Sequence, residues 1–260
     1  MLCSATMAED SSIKSADKEQ GVAAVERAFT IMNAFTVRDV SLSLHELAER
    51  TGLYKSTILR LISSLERWGC MHRLQDGRYQ LGPRLMNWSR IYQSSLRLDQ
   101  HVLPVLKLLV SETGEGASYF KREGDMRVCL YRVNSERAIQ EYVTQGDMLP
   151  LGRGAAGRIM LDYANVEQTG MPARSPVYVS FGETDPEVTA LAAPVFESMN
   201  ALAGSIAVSG PRSRMTRTVI DYIAECLLRA ATDLTQRLGG DPALFRNASL
   251  PFGPGDSTAA

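Results

Sequence analysis

Between Ser43 and Trp68 the apolar positions fall into two short helical stripes. Leu44, Leu47 and Ala48 recur at helical spacing until Thr51-Gly52, and Ser43 with Glu46 three residues on makes a capping box at the start. After a tight turn, Ile58, Leu61, Ile62 and Leu65 follow i, i+3, i+4, i+7 as one buried stripe. The other side of that second helix is polar and basic. It carries Ser56, Arg60, Ser63, Ser64 and Arg67, with Lys55 and Thr57 near its start. A helix that packs inward and also enters a DNA major groove needs both faces. An earlier helix with Val25, Ala28, Phe29, Met32 and Phe35 as its apolar face precedes the pair. Behind it, Cys70–Leu74 and Arg78–Leu81 flank Gln75-Asp76-Gly77, a hairpin signal. Two amphipathic helices around a glycine are also a common corner of a helical core. The added helix, the hairpin and the small Ala48 and Gly52 favour a winged helix-turn-helix over residues 21–82.

Beyond Pro83 a helix over 83–98 places Leu85, Trp88, Tyr92 and Leu96 on one side, flanked by Met86 and Ile91. It reads as a linker whose aromatic side serves either packing or a dimer seam. Asp99 is expected to cap a further apolar helix that tolerates Pro104 early on. From Gly116 the pattern turns to strands: Ala117–Arg122, Met126–Val133 and Ile139–Val143, then Leu191–Phe196 and Gly204–Gly210. A last amphipathic helix spaces Val219, Ile223, Leu227, Ala230 and Leu234 for burial. Strands flanked by terminal helices predict an α+β domain around an antiparallel sheet over 99–240. The tails, 1–20 and 241–260 with small polar residues, glycines and prolines from Gly239 on, are expected to be unstructured.

Composition changes this picture in two places. The 260 residues are 45% hydrophobic and 22% charged, enough for two domains, and no apolar run reaches bilayer length. Formal charge is −1 overall, yet residues 20–98 hold eleven Lys or Arg against six Asp or Glu. The remainder is acidic, so phosphate contact is expected from the N-terminal module alone. Cys3, Cys70, Cys129 and Cys226 show no paired spacing, and His45, His72 and His101 are dispersed. Reduced thiols, a cytoplasmic location, no signal peptide and no metal site are the expectations.

Residues 152–157, Gly-Arg-Gly-Ala-Ala-Gly, match GxGxxG letter for letter. A dinucleotide site would need a parallel βαβ crossover, and the surrounding strands read as antiparallel, with Met148-Leu149-Pro150 a poor strand end. No cofactor is expected. Small residues at a helix start still let an anion approach free N–H groups, and Arg153 would add a charge-assisted bond to a carboxylate. The competing reading has the glycines serving tight helix-to-sheet packing and Arg153 solvated.

The run LAERTGLYKSTILRLISSLERWG, the wing ending RYQLGPRL, the stretch LPLGRGAAGRIML and the late pair VSFGETDPEVTALAAPVF and LAGSIAVSGPRSRMT occur in one order along the chain. Over roughly residues 22–240 the sequence resembles the IclR family of bacterial transcription regulators. The resemblance implies a homodimer or homotetramer, an operator-binding winged helix and a GAF-like C-terminal domain that binds a small metabolite. It places DNA contacts on Lys55, Ser56, Thr57 and Arg60, with Arg78 on the wing near phosphate; Arg67 joins them from the polar helix face. It lines the effector pocket with Arg153, Gly154, Ala155, Ala156, Ser180, Val188, Ala190, Ala207 and Ser209. The chain departs from the family at Gly152, where histidine is frequent, and in a shortened stretch between Asp162 and Val179, which is expected to leave the pocket more open or altered.

Three functions compete at this point. A ligand-controlled regulator of double-stranded DNA, sensing a small organic or aromatic acid for catabolic genes as repressor or activator, is favoured. A DNA-binding regulator that has lost its ligand is the second. A small-acid enzyme is third, disfavoured because no histidine follows His101 and no nucleophile has a sequence-adjacent base.

Overall fold

The structure, a computed structural model, describes residues 21–36, 38–96, 98–141, 143–172 and 175–251. The expected tail over 1–20 lies outside the described residues. Contacts divide the chain into two compact units, Met1–Ser95 and Leu96–Ala260.

The first unit contains α1 (Ala23–Asn33), α2 (Leu44–Thr51), α3 (Lys55–Arg67), the wing strands β1 (Met71–Arg73) and β2 (Tyr79–Leu81), and α4 (Arg84–Leu96). Helix α2 begins with the expected capping box: Glu46 N–H donates to Ser43 Oγ, and the Ser43 N–H donates to Glu46 Oε2 at 2.7 Å. It ends at Gly52, whose φ of 67° is the left-handed C-cap that glycine adopts without steric cost. The wing strands pair antiparallel, and Leu42 bridges to Tyr79. Ile31, Leu42, Leu47, Ile58, Ile62, Met71 and Tyr79 form the core, with Leu61 and Leu65 packed against it. One expectation changes here. The inward residue of α1 is Ile31, whereas Val25 and Phe29 stand exposed together with Val22.

The second unit is built on a six-stranded antiparallel sheet in the order β5-β4-β3-β8-β7-β6. Its strands are β3 (Gly116–Glu123), β4 (Met126–Val133), β5 (Met148–Pro150), β6 (Tyr178–Phe181), β7 (Val188–Phe196) and β8 (Leu202–Pro211). Helices α5 (Asp99–Thr113) and α8 (Arg217–Arg237) pack on each other, α5 on β3 and β4 and α8 on β7. Helix α6 (Ala155–Asp162) lies on β6, β7 and β8, followed by the short α7 (Val166–Thr169). Strands β7 and β8 are buried along nearly their whole length, as central strands covered on both faces must be.

Four expectations are corrected in this unit. Asp99 lies inside the first turn of α5, where Leu98 is the N-cap and no side chain caps the helix. Ile139–Val143 forms no strand among its described residues, because Cys129 of β4 already pairs with Gly146 and Asp147, ahead of β5. Met148-Leu149-Pro150, read as a poor strand end, is that edge strand. As far as residue 251 the chain also stays ordered past Gly239. Pro242–Phe245 makes a 3-10 turn capped by Asp241, and buried Phe245 packs at 5.9 Å from the Phe196 ring. Burying that aromatic area outweighs the turn-forming bias of the glycines around it.

Candidate functional site

The first candidate surface is the outer face of α3. Ile58 and Ile62 turn into the core, so helical geometry forces Lys55, Ser56, Arg60, Ser63, Ser64 and Arg67 outward, and all six are exposed; Thr57 is half-buried. Lys55, Arg60 and Arg67 make no ion pair among the described residues. The N-cap, Tyr54, supplies no side-chain cap, so the first N–H groups of α3 point at solvent, where the helix dipole favours a phosphate.

Arg78 behaves differently. Its Nε donates to Ser41 Oγ at 2.9 Å, and its Nη2 donates to the Ser41 carbonyl at 2.9 Å and to Glu46 Oε2 at 3.0 Å. It therefore ties the wing to the start of α2. Ser43 bonds foremost, then Arg78, hold the Glu46 carboxyl down at about 2. On the wing, Arg73 is the exposed cation, stacked 5.8 Å from the centre of the Tyr79 ring.

The second candidate is a cavity of about 30 Å³ in the sheet face beneath α6. Ala190 of β7, Ala207 and Ser209 of β8, Phe120 of β3, Arg127 of β4 and Leu149 of β5 form its floor, and register explains why. Ala190 pairs with Ser209, and Ala192 with Ala207, so Ala190, Ala207 and Ser209 project to one face. Gly154, Ala155 and Ala156 at the start of α6 roof it, with Glu141, Val143 and Thr184 closing the sides. Gly154 sits at φ 75°, and a Cβ there would lie 2.7 Å from Thr184 Oγ1 and 3.1 Å from Arg127 Nη2. Glycine is required on both counts. Glu183 reaches back to accept the Gly154 N–H at 2.9 Å.

Two buried cations face this region. Arg132 donates to Ser118 Oγ at 2.9 Å and Ser209 Oγ at 3.2 Å, and its charge is matched by Glu141 at 3.5 Å. Ser209 Oγ in turn donates to Glu141. Arg127 is 4% exposed and has no carboxylate partner among the described residues. Its Nη1 donates to the carbonyls of Pro150 and Arg153, its Cζ lies 5.5 Å from the Phe120 ring centre, and its buried Nε has no acceptor among the described residues. Burial pulls the Arg127 guanidinium below its ordinary value, and the charges of Glu141 and Glu183 oppose that shift.

Of the pocket residues expected from sequence, Gly154, Ala155, Ala156, Ala190, Ala207 and Ser209 meet at the cavity. Arg153, Ser180 and Val188 are not part of its wall. Arg153 is exposed and meets the site through its carbonyl; Ser180 is buried one strand away, opposite Ala190 in the ladder. Among the described residues, none from the shortened stretch after Asp162 lines this cavity. It packs inward instead, with Val166 and Val177 buried and Tyr163 donating to the Ser175 carbonyl at 3.1 Å. Arg127 and Glu141 are missed by sequence reasoning. The one available signal for Arg127 is its place two residues before buried Cys129 in an alternating strand, an inward position for a charged side chain. The GxGxxG stretch follows a strand antiparallel to its neighbour, so the parallel crossover of a dinucleotide site is absent there.

Comparison with known proteins places both units in one family. The IclR helix-turn-helix domain matches residues 24–73, and the C-terminal domain of the bacterial transcriptional regulator IclR matches 91–171 and 174–236. The transcriptional regulator KipR of Bacillus subtilis is 24% identical over 83% of this chain and 96% of its own length. An IclR-type regulator structure from Alicyclobacillus acidocaldarius superposes with a TM-score of 0.70 at 23% identity, covering 85% of this chain and 100% of that one. An IclR homologue of Microbacterium hydrocarbonoxydans, solved in complex with 4-hydroxybenzoate, gives a TM-score of 0.66 at 19% identity, covering 82% and 100%. With its exposed basic recognition helix on a winged core and its α+β C-terminal domain, the chain belongs to the IclR family of DNA-binding transcriptional regulators.

Proposed function

We propose that a small organic acid, bound in the cavity beneath α6, controls how this regulator occupies its operator. The observation that carries this reading is the convergence of six small residues from three segments, the start of α6, β7 and β8, and a buried arginine on one cavity. The 4-hydroxybenzoate bound by the Microbacterium homologue supports an acid as ligand. Residues 21–82 serve as the operator-binding module, 83–98 as linker and 99–240 as effector domain. Lys55, Ser56, Thr57, Arg60 and Arg67 face the DNA, with Arg60 on base edges and the others on phosphates.

The regulator acts as a homodimer or homotetramer in the cytoplasm. Exposed Met86, Trp88, Ile91 and Tyr92 on α4, and Val22, Val25 and Phe29 on and beside α1, supply apolar surface for pairing. Paired recognition helices read half-sites about 34 Å apart or a multiple of that. The acid shifts occupancy only as far as its affinity differs between the operator-competent state and the alternative.

Footprinting the purified protein upstream of its own gene, with and without a panel of aliphatic and aromatic acids, tests this directly. Paired protected half-sites whose occupancy changes with one acid class are expected. Protection that no acid alters would assign the chain to ligand-independent regulation.

A further inference from the structure

The geometry points to Arg127 as the anchor that makes this cavity select a small monocarboxylate. The inference rests on the acid-sensing reading above and gives it a residue and a ligand class. A guanidinium offers two useful edges, and Arg214 shows how one of them is used in this same molecule. Its Nε and Nη2 grip the two oxygens of buried Glu115 side-on, at 2.7 Å each. Arg132 is likewise matched by Glu141, so each of these buried or half-buried arginines has its carboxylate.

Arg127 alone among these three has none. Its Nη1 is spent on the carbonyls of Pro150 and Arg153, which leaves the Nε–Nη2 edge without a protein acceptor among the described residues. A guanidinium buried to 4% exposure without an anion is costly, so the edge is matched to an anion supplied from outside the chain. Nη2 lies beside Gly154 at the start of α6, where a Cβ would come within 3.1 Å of it. A carboxylate there meets the Arg127 edge and the positive end of the helix together. The apolar remainder of the ligand rests on Phe120, Val143, Leu149 and Ala190.

Two features narrow the class. A cavity of about 30 Å³ takes little beyond the carboxylate itself, so a larger ligand body requires the side chain of Glu141, a wall residue, to move aside. Glu141 in the cavity wall and Glu183 on the Gly154 N–H also place two negative charges at the site, which repel a second carboxylate on the ligand. Monocarboxylates with a short apolar body are therefore favoured over dicarboxylates and over neutral isosteres.

The test uses the full-length protein and calorimetric titration with butyrate, benzoate, their amides, and succinate. Butyrate or benzoate is expected to bind wild type, with the amides and succinate at least tenfold weaker. Arg127→Gln should weaken the monocarboxylate at least tenfold, and Arg127→Lys, which keeps the charge without the fork, should fall between. Should Arg127→Gln fail to fold, the Arg127 Nε–H resonance of the wild-type protein decides. It is expected to move downfield on adding benzoate and stay in place with benzamide.

Unchanged monocarboxylate affinity in a folded Arg127→Gln protein would overturn the anchor while leaving acid sensing intact. So would an Nε–H resonance that ignores bound benzoate. Equal binding of amides would overturn the anchor and the acid reading but leave a small-molecule sensor. Absence of binding by every probe, together with operator occupancy that none of them alters, overturns both.

Discussion

The two units of this chain keep the arginines of their candidate sites in opposite surroundings. In the winged unit, Arg60 and Arg67 stand in water on a helix whose other face is core, and they make no ion pair among the described residues. In the C-terminal unit, Arg127 is buried on a central sheet face and held in place by backbone carbonyls. The first arrangement suits a polyanion that approaches from outside and is itself heavily charged. The second suits a single small anion, because low dielectric makes one correctly placed guanidinium effective and any misplaced charge costly. Exposure therefore sorts the two binding roles better than residue type does.

The comparison can be broken most forcefully at the winged core. With few fully buried side chains there, Ile62→Ala should cost about 2–5 kcal/mol through lost burial and the cavity left behind. Chemical denaturation with separate probes should show the winged unit unfolding early and operator binding lost, while acid binding by the C-terminal unit persists. Loss of both together would show that the units do not act separately.

A smaller effect tests the exposed side. Arg60→Ala should weaken specific operator binding by about 1–3 kcal/mol and relax selectivity at one base position. A mobility-shift titration with unchanged affinity would remove Arg60 from base readout. Arg78→Ala, by contrast, is expected to act through the wing's attachment to Ser41 and Glu46 rather than through phosphate. Binding should weaken with little change in salt slope, whereas a slope reduced by about one unit would restore the phosphate role.

The smallest effect concerns acid. The Glu46 carboxyl is held at about 2, below its ordinary value of 4.5, by Ser43 and then Arg78. A depressed carboxyl pKa contributes stability that is full above the ordinary value and is lost as pH falls through the folded one. Thermal melts of wild type and Glu46→Gln should therefore differ above about pH 4.5 and converge toward pH 2. A gap that persists at pH 2 would show that charge on Glu46 is not its source.

Much of the winged unit was legible from residue order because its determinants are local. The Ser43–Glu46 capping box spans four residues, the Gly52 cap closes one turn, and the α3 stripe repeats every three or four positions. Val25 and Phe29 escaped because periodicity finds an apolar face without saying what covers it. In the C-terminal unit the strands around Gly116–Val133 and Leu191–Gly210 were also legible, by alternation. The strand expected at Ile139–Val143 failed for a tertiary reason: the edge of β4 was already taken by Gly146, Asp147 and β5. Propensity says that a segment can be a strand, and only the sheet says whether an edge remains for it.

By itself, the sequence determined the winged helix-turn-helix, the outward basic face of α3, the α+β character of the second unit and the family to which the motifs belong. Each follows from spacing within one element or from the order of motifs along the chain. Only the tertiary structure decided which arginine faces the cavity. Arg153 sits within the small-residue run and looks like the anion ligand, yet it is solvent-exposed. Arg127, 27 residues before Gly154 at the N-cap of α6, is brought beneath that helix by strand pairing and buried without an ion-pair partner among the described residues. Charge compensation is a property of neighbours in space, so the residue left uncompensated became visible only once the sheet had been assembled.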